Sequence, residues 1–255
     1  RCDEIRLRTM NLIWADWPAP PKIKALCTTR QGGVSSAPFD QLNLGDHVGD
    51  NPQTVSDNRQ LLLNSLSLVK PAQWLKQVHG VEVVEAHADQ QIRQADACYT
   101  TESGVACVIM TADCLPVLFT DTAGSKVAAA HAGWRGLVDG VLEQTLAQFD
   151  DPSEVGVWMG PAIGPNAFEV GQEVYDRFVD DLAESRDAFK PSPSHQDRWM
   201  ADIYQLARLR LNRAGVRQIS GGGFCTYTDS DRFFSYRRQA QTGRMASLIW
   251  IEDDQ

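Results

Sequence analysis

No apolar run in the 255 residues approaches the roughly 20 that a membrane-spanning helix needs. The first residues also lack the basic start and apolar stretch of a signal peptide. Positive charge is in deficit: 24 Lys and Arg stand against 33 Asp and Glu, a net charge of -9. That balance argues against non-specific nucleic-acid binding and against attraction to an anionic membrane surface. It leaves room for a local basic pocket that takes a phosphate. The six cysteines (Cys2, Cys27, Cys98, Cys107, Cys114, Cys225) form no CxxC pair and keep irregular spacings. No disulfide framework is expected, and a reducing cytoplasm is the expected setting. Phosphate loops ending in GKS or GKT are missing, as is the HxE…PCxxC signature of zinc deaminases. What remains is the composition of an ordinary globular protein, 43% hydrophobic and 22% charged.

One α/β domain spanning residues 10–255 is expected, with no internal repeat and no clear linker. Residues 1–9 differ in character from the rest of the chain and are expected to be an added or disordered leader, with Met10 as the natural start. Strands are expected at the edge near Trp14 and over Ile23–Thr29, Val105–Met110, Leu115–Thr120, Val127–Ala130, Val155–Met159, Ile219–Tyr227, Phe233–Tyr236 and Arg244–Ile251. A strand–turn–strand is expected around Gly80 (Trp74–His79, Val81–Glu85). The segment Pro38–Asp50 reads as a long ordered loop, and Gln90–Asp96 is simply polar. Asn51-Pro52 opens a helix. Further helices are expected over Gly136–Phe149, Gln172–Leu182 and Asp202–Ala214, the last ended by Gly215. Ser185–Trp199 reads as a loop or lid.

Three residues can bind a metal: His79, Cys114 and His131, spaced 35 and 17 residues apart. That is far too long for a zinc finger but suits a site assembled where strand ends converge; three protein ligands with an open fourth position mark a catalytic zinc. The ordinary reading of Cys114 is a small buried hydrophobe, and of the histidines a hydrogen-bonded strand end. Alternatively, Cys114 is a thiolate nucleophile with a histidine as base. The segment His131–Leu137 leads from a strand into a helix and can hold an anion, with Arg135 adding charge. Arg59 falls inside the apolar stripe of the first helix. It either snorkels or pairs there, or aims its guanidinium at a site. Arg237, Arg238 and Arg244 read as a solvated strand end.

Seven motifs occur in order: TTRQGGVS, LNLGDHVGDNP, WLKQVHG, MTADCLPV, HAGWRG, GPAIGP..FEVG and CTYT....FFSYRR....GRMAS. Together they closely resemble the YfiH-like family of bacteria, also labelled the laccase-domain or multicopper polyphenol oxidase family. The resemblance implies a layered sandwich with mixed β-sheets, a monomer, and a zinc site at His79, Cys114 and His131. It implies phosphorolysis of purine nucleosides (adenosine, inosine, guanosine, methylthioadenosine) and adenosine deamination. It also carries the label of peptidoglycan-editing factor, and Arg59 matches the family's arginine of the Asn-Arg pair.

Five histidines are too few for a four-copper oxidase, although copper can displace zinc at a Cys/His group. Phosphorolysis suits the residues better. Zinc would orient phosphate or water. Arg59, with His47 and Arg135, would hold the anion, and Asp113 or Glu169 would shuttle the proton. The competing class is a cysteine hydrolase acting on a cell-wall precursor, with Cys114 as nucleophile.

Overall fold

A computed structural model describes residues 10–253; the expected leader at 1–9 lies outside the described residues. In chain order the first strands are β1 (Leu12–Trp14), β2 (Ile23–Thr28), β3 (Leu75–Lys76), β4 (Val83–Glu85) and β5 (Arg93–Gln94). Then come β6 (Ala97–Thr100), β7 (Cys107–Thr111), β8 (Leu115–Asp121), β9 (Val127–Ala132) and β10 (Val155–Met159). The last are β11 (Glu169–Gly171), β12 (Phe189–Pro191), β13 (Arg198–Ala201), β14 (Gln218–Gly221) and β15 (Met245–Ile251). The helices are α1 (Pro52–Ser65), α2 (Trp134–Asp139), α3 (Val141–Leu146), α4 (Gln172–Asp181) and α5 (Ile203–Arg213). None of them is long and apolar enough to cross a membrane.

Two sheets make the body. An antiparallel sheet runs β1-β2-β15-β7, and a mixed sheet runs β14-β10-β8-β9-β6-β4. Period-two alternation sends each strand's side chains to two layers. In β2, Ala25 and Cys27 join the core between the sheets, while Leu26 joins the core under α1. In β8, Leu118 faces the inter-sheet core, while Val117 and Phe119 face the helices α2 to α5. Burial of Leu26, Val117, Leu118 and Phe119 contributes about 1.5–3 kcal/mol each relative to exposure. β8 and β9 are covered on both faces, which is why they read as unbroken apolar runs. The order is thus helix, sheet, sheet, helices: the layered α/β sandwich with mixed sheets that the motifs imply.

Asn51 caps α1 as expected, its Oδ1 accepting from the Gln53 (2.8 Å) and Thr54 (3.3 Å) amides. Several expectations need correction. The helix expected over Gly136–Phe149 is two short helices, because Gly140 turns the chain with φ +100°. The strands flanking Gly80 are not a hairpin: β3 pairs with β5 and β4 with β6, both parallel. The polar stretch 90–96 contains β5 and is followed by the unforeseen β6. Where a lid was expected, β12 and β13 form a small sheet with β11, and Trp199 stacks on Tyr175 at 4.2 Å. β14 stops early, since Gly221, Gly222 and Gly223 all take positive φ. Phe233–Ser235 is irregular and leads into a turn at Tyr236; its two phenylalanines are fully buried anchors rather than strand residues.

Candidate metal centre and active-site cavity

Cys114 lies on the three-residue connection from β7 to β8, where the chain passes from one large sheet to the other. Asp113 there holds φ +98°, a conformation costly for any residue but glycine. The turn is fastened on three sides. Thr226 Oγ1 donates to Asp113 Oδ1 (2.7 Å), the Arg237 amide donates to Oδ2 (2.7 Å), and the Ile163 amide donates to the Asp113 carbonyl (2.9 Å). His131 is the last residue but one of β9, opposite Pro116 of β8. His79 sits in the turn before β4, itself at φ +62°.

The three candidate ligand atoms lie within 4.8 Å of one another. His79 Nε2 is 3.9 Å from Cys114 Sγ, and the two imidazoles meet edge to face at 4.7 Å. His131 is buried, Cys114 is half-buried and His79 is exposed, so the group opens on one side. Burial pushes the Cys114 thiol up, but the His131 charge and hydrogen bonds from both imidazoles outweigh it and bring it down to about 6. Burial likewise lowers His131, yet the Cys114 thiolate and Asp96 raise it to about 9. Two imidazoles and a thiolate, one imidazole braced from behind by a carboxylate, fit a three-ligand metal site with an open position.

Two glycines of HAGWRG are there for close approach. A Cβ on Gly133 would lie 2.8 Å from His79 Cδ2 and 3.1 Å from Cys114 Sγ, and one on Gly136 would lie 2.7 Å from the Gly80 carbonyl. The helix start expected to hold an anion belongs to a helix of only six residues packed against the His79 turn.

The metal-type group forms one wall of a cavity of about 430 Å³. Of the other residues expected at the site, His47, Asp113 and Arg135 line it. Arg135 lies over the Trp134 ring at 4.3 Å. Arg59 does not line it. Its Nε donates to the Leu44 carbonyl (3.0 Å), its Nη2 is 3.4 Å from Asp46, and it stacks over Trp74 at 4.0 Å. The guanidinium therefore pins the loop that carries His47. Glu169 also lies off the wall, accepting from Ser192 Oγ (2.6 Å) and paired with His195 (2.9 Å).

Sequence reasoning missed three contributors. Arg237 and Arg244 line the cavity rather than ending a solvated strand. Burial lowers the Arg244 pKa, against the pull of Cys114, Asp113 and Tyr236, and its Nη1 is braced by the Thr242 and Gly243 carbonyls (3.0 Å each). The pair of basic residues in GR and RR was the available signal. Asp96, fully buried, accepts from His131 Nδ1 (2.8 Å) and had no local signal, since its partners lie far away in the chain.

The chain matches known proteins over most of its length. The family model described as multi-copper polyphenol oxidoreductase laccase matches residues 24–252. A Pseudomonas aeruginosa protein named purine nucleoside phosphorylase is 58% identical over 93% of this chain and 97% of its own length. Escherichia coli YfiH, also named purine nucleoside phosphorylase, is 52% identical over 94% and 99%. The crystal structure of a Neisseria meningitidis protein superposes with a TM-score of 0.91 at 49% identity, over 95% of this chain and all of that one. By length of match and identity alike, the chain belongs to the YfiH family, whose model carries the laccase description.

Proposed function

We propose that this chain is a zinc-dependent purine nucleoside phosphorylase. The observation that carries the reading is one cavity uniting a His–Cys–His donor group, three arginines and an aromatic wall, in a chain 58% identical to a protein of that name. The substrates are free nucleosides (adenosine, inosine, guanosine, methylthioadenosine) and phosphate, with adenosine deamination as a second activity of the same group. The protein works as a monomer in the cytoplasm.

His79, Cys114 and His131 would hold the metal, with Nε2 of His131 the available nitrogen because Nδ1 is engaged by Asp96. Zinc bound there would supply a Lewis acid and a positive charge; copper would suit the same donor set. Arg244, Arg135 and Arg237 hold the phosphate, their planar forks matching its oxygens. Phe168, Tyr236 and Trp134 offer flat apolar surface to the purine ring. A phosphate oxygen attacks the sugar C1′, the glycosidic bond breaks, and its electron pair leaves with the base. Both oxygens of Asp113 are committed to Thr226 and Arg237. Asp113 therefore holds the Cys114 turn. We assign to His47, which is exposed on the cavity wall, the proton that the departing base takes up.

A multi-copper oxidase reading meets a shortage of donors. Among the described residues, His79, Cys114 and His131 are the only cluster of three or more metal-type side chains.

The test is chromatography of products from adenosine incubated with zinc-loaded protein, with and without phosphate. The expected result is adenine only when phosphate is present, and none from His79→Ala. Inosine alone would make deamination the main reaction. No turnover of any purine nucleoside overturns the proposal and points to the cell-wall hydrolase, which Cys114→Ser would then test.

A further inference from the structure

We infer that Asp96 is the positioning residue of the metal centre, holding two of the three ligands in place before any metal arrives. The inference rests on the metal-site reading above.

Asp96 is fully buried at the entry to β6. Its two carboxylate oxygens accept four hydrogen bonds. Oδ1 takes His131 Nδ1 (2.8 Å) and the His79 amide (2.9 Å). Oδ2 takes the Val78 (3.1 Å) and Gly80 (2.7 Å) amides. Its own carbonyl accepts the His131 amide at 2.7 Å. One side chain thus grips three consecutive amides of the His79 turn and the rear nitrogen of the other imidazole.

The chemistry of that grip has two consequences. A carboxylate at Nδ1 keeps a proton there, so Nε2, the nitrogen beside Cys114, is the one left to bind a metal once it gives up its own proton. The three-amide grip holds His79 in its left-handed conformation, which the chain would otherwise leave. Burial works against the charge on Asp96, and the His131 ring together with the Gly80 and Val78 amides holds its pKa below the ordinary carboxylate value.

Asparagine is the same shape but cannot do the same work. It has one acceptor oxygen for four donors. If that oxygen serves His131 and His79, its NH2 faces the N–H groups of Val78 and Gly80, donor against donor. Asp96→Asn is therefore expected to release one of the two ligands, and Asp96→Ala both.

The test uses the full chain and metal titration alone, with no nucleoside, so it can fail independently of the phosphorylase reading. Metal-free protein is titrated with zinc against a chromophoric chelator, and with cobalt, whose thiolate and d–d absorption reports the ligand set. Asn58→Ala serves as the control. Asn58 is an equally buried fastener, bonded to Val34, Ser35 and Asn43 away from the metal group. The expected result is zinc affinity lowered about 10–100-fold in Asp96→Asn, with an altered cobalt spectrum, and unchanged affinity in Asn58→Ala despite a comparable loss of melting temperature. Wild-type zinc affinity in a folded Asp96→Asn overturns the inference, as does an equal affinity loss in both variants. Should the Asp96 variants not fold, nitrogen-15 NMR of the zinc-loaded wild type decides. His131 must bind metal through Nε2 and keep a hydrogen-bonded proton on Nδ1. Coordination through Nδ1 overturns the inference.

Discussion

Cys114 and Cys27 are both thiols in the same small protein, yet their surroundings push them in opposite directions. Burial raises Cys27 to about 12, while the His131 charge brings half-buried Cys114 down to about 6. In metal-free protein, alkylation of Cys114 is expected to switch on as pH rises through about 6, with Cys27 unreactive over the whole neutral range; peptide mapping after timed treatment reads both rates. Stability depends on pH through Cys114 and its partner His131. The Cys114 contribution is present above its ordinary value and lost as pH falls through about 6. The His131 contribution is present below its ordinary value and lost as pH rises through about 9. Bound zinc is expected to protect Cys114 but not Cys225, the other half-buried cysteine among the described residues. Equal protection of both would count against the metal group.

At the scale of elements, α1 and the approach to β15 each offer an arginine, and they do different things. Arg59 of α1 is a fastener: its fork engages the Leu44 carbonyl and its face covers Trp74. Arg59→Lys keeps the charge but loses both contacts. It is expected to cost about 1–2 kcal/mol of stability and leave the KM for phosphate within about twofold. Arg244→Ala is expected to raise that KM at least about tenfold, since a lost charged hydrogen bond is worth roughly 1.5–3 kcal/mol. Steady-state kinetics with phosphate varied, together with denaturant melts, separates the two. The wheel position of Arg59 was legible in the sequence, but its direction was not. Whether a charge in an apolar stripe reaches a site or a loop carbonyl depends on where residues 44–46 return, which periodicity does not encode. The strands β8, β9, β10 and β15 were legible for the opposite reason, because burial on both faces leaves long apolar runs. The lid reading of 185–199 failed because three very short strands with proline and serine carry no period, and their pairing is set by contacts across 169–201.

For the whole molecule, the metal group lies where separate parts of the chain meet. Cys114 belongs to the crossing between the two large sheets, His131 to the centre of the mixed sheet, and His79 to a turn that neither sheet holds by itself. A metal bound there would therefore be coupled to the packing of both layers. At a metal concentration about 100 times Kd, the native state gains about 2.7 kcal/mol. For a chain of this size that is a rise in Tm of about 5–10 °C. Adding a strong chelator should remove that increment from the wild type and change nothing in His79→Ala; scanning calorimetry reads it. Equal melting with and without metal would mean that the group takes no ion. The three residues of the group were legible as metal-type side chains at strand ends. Asp96 was not, because a residue that touches 78–80 and 131 only through folding leaves no mark on its own neighbours.

The tight fit around Gly133 and Gly136 has a further consequence for anyone wishing to redesign this protein. The floor of the cavity tolerates almost no change, since even one methyl group at Gly133 would meet His79 and Cys114. Tyr236, on the cavity wall, is exposed to solvent and carries no such packing constraint. A library aimed at new nucleosides should leave the glycines and His47 intact and randomise Tyr236. Substrate preference can then drift from one relative to the next while the reacting centre stays fixed.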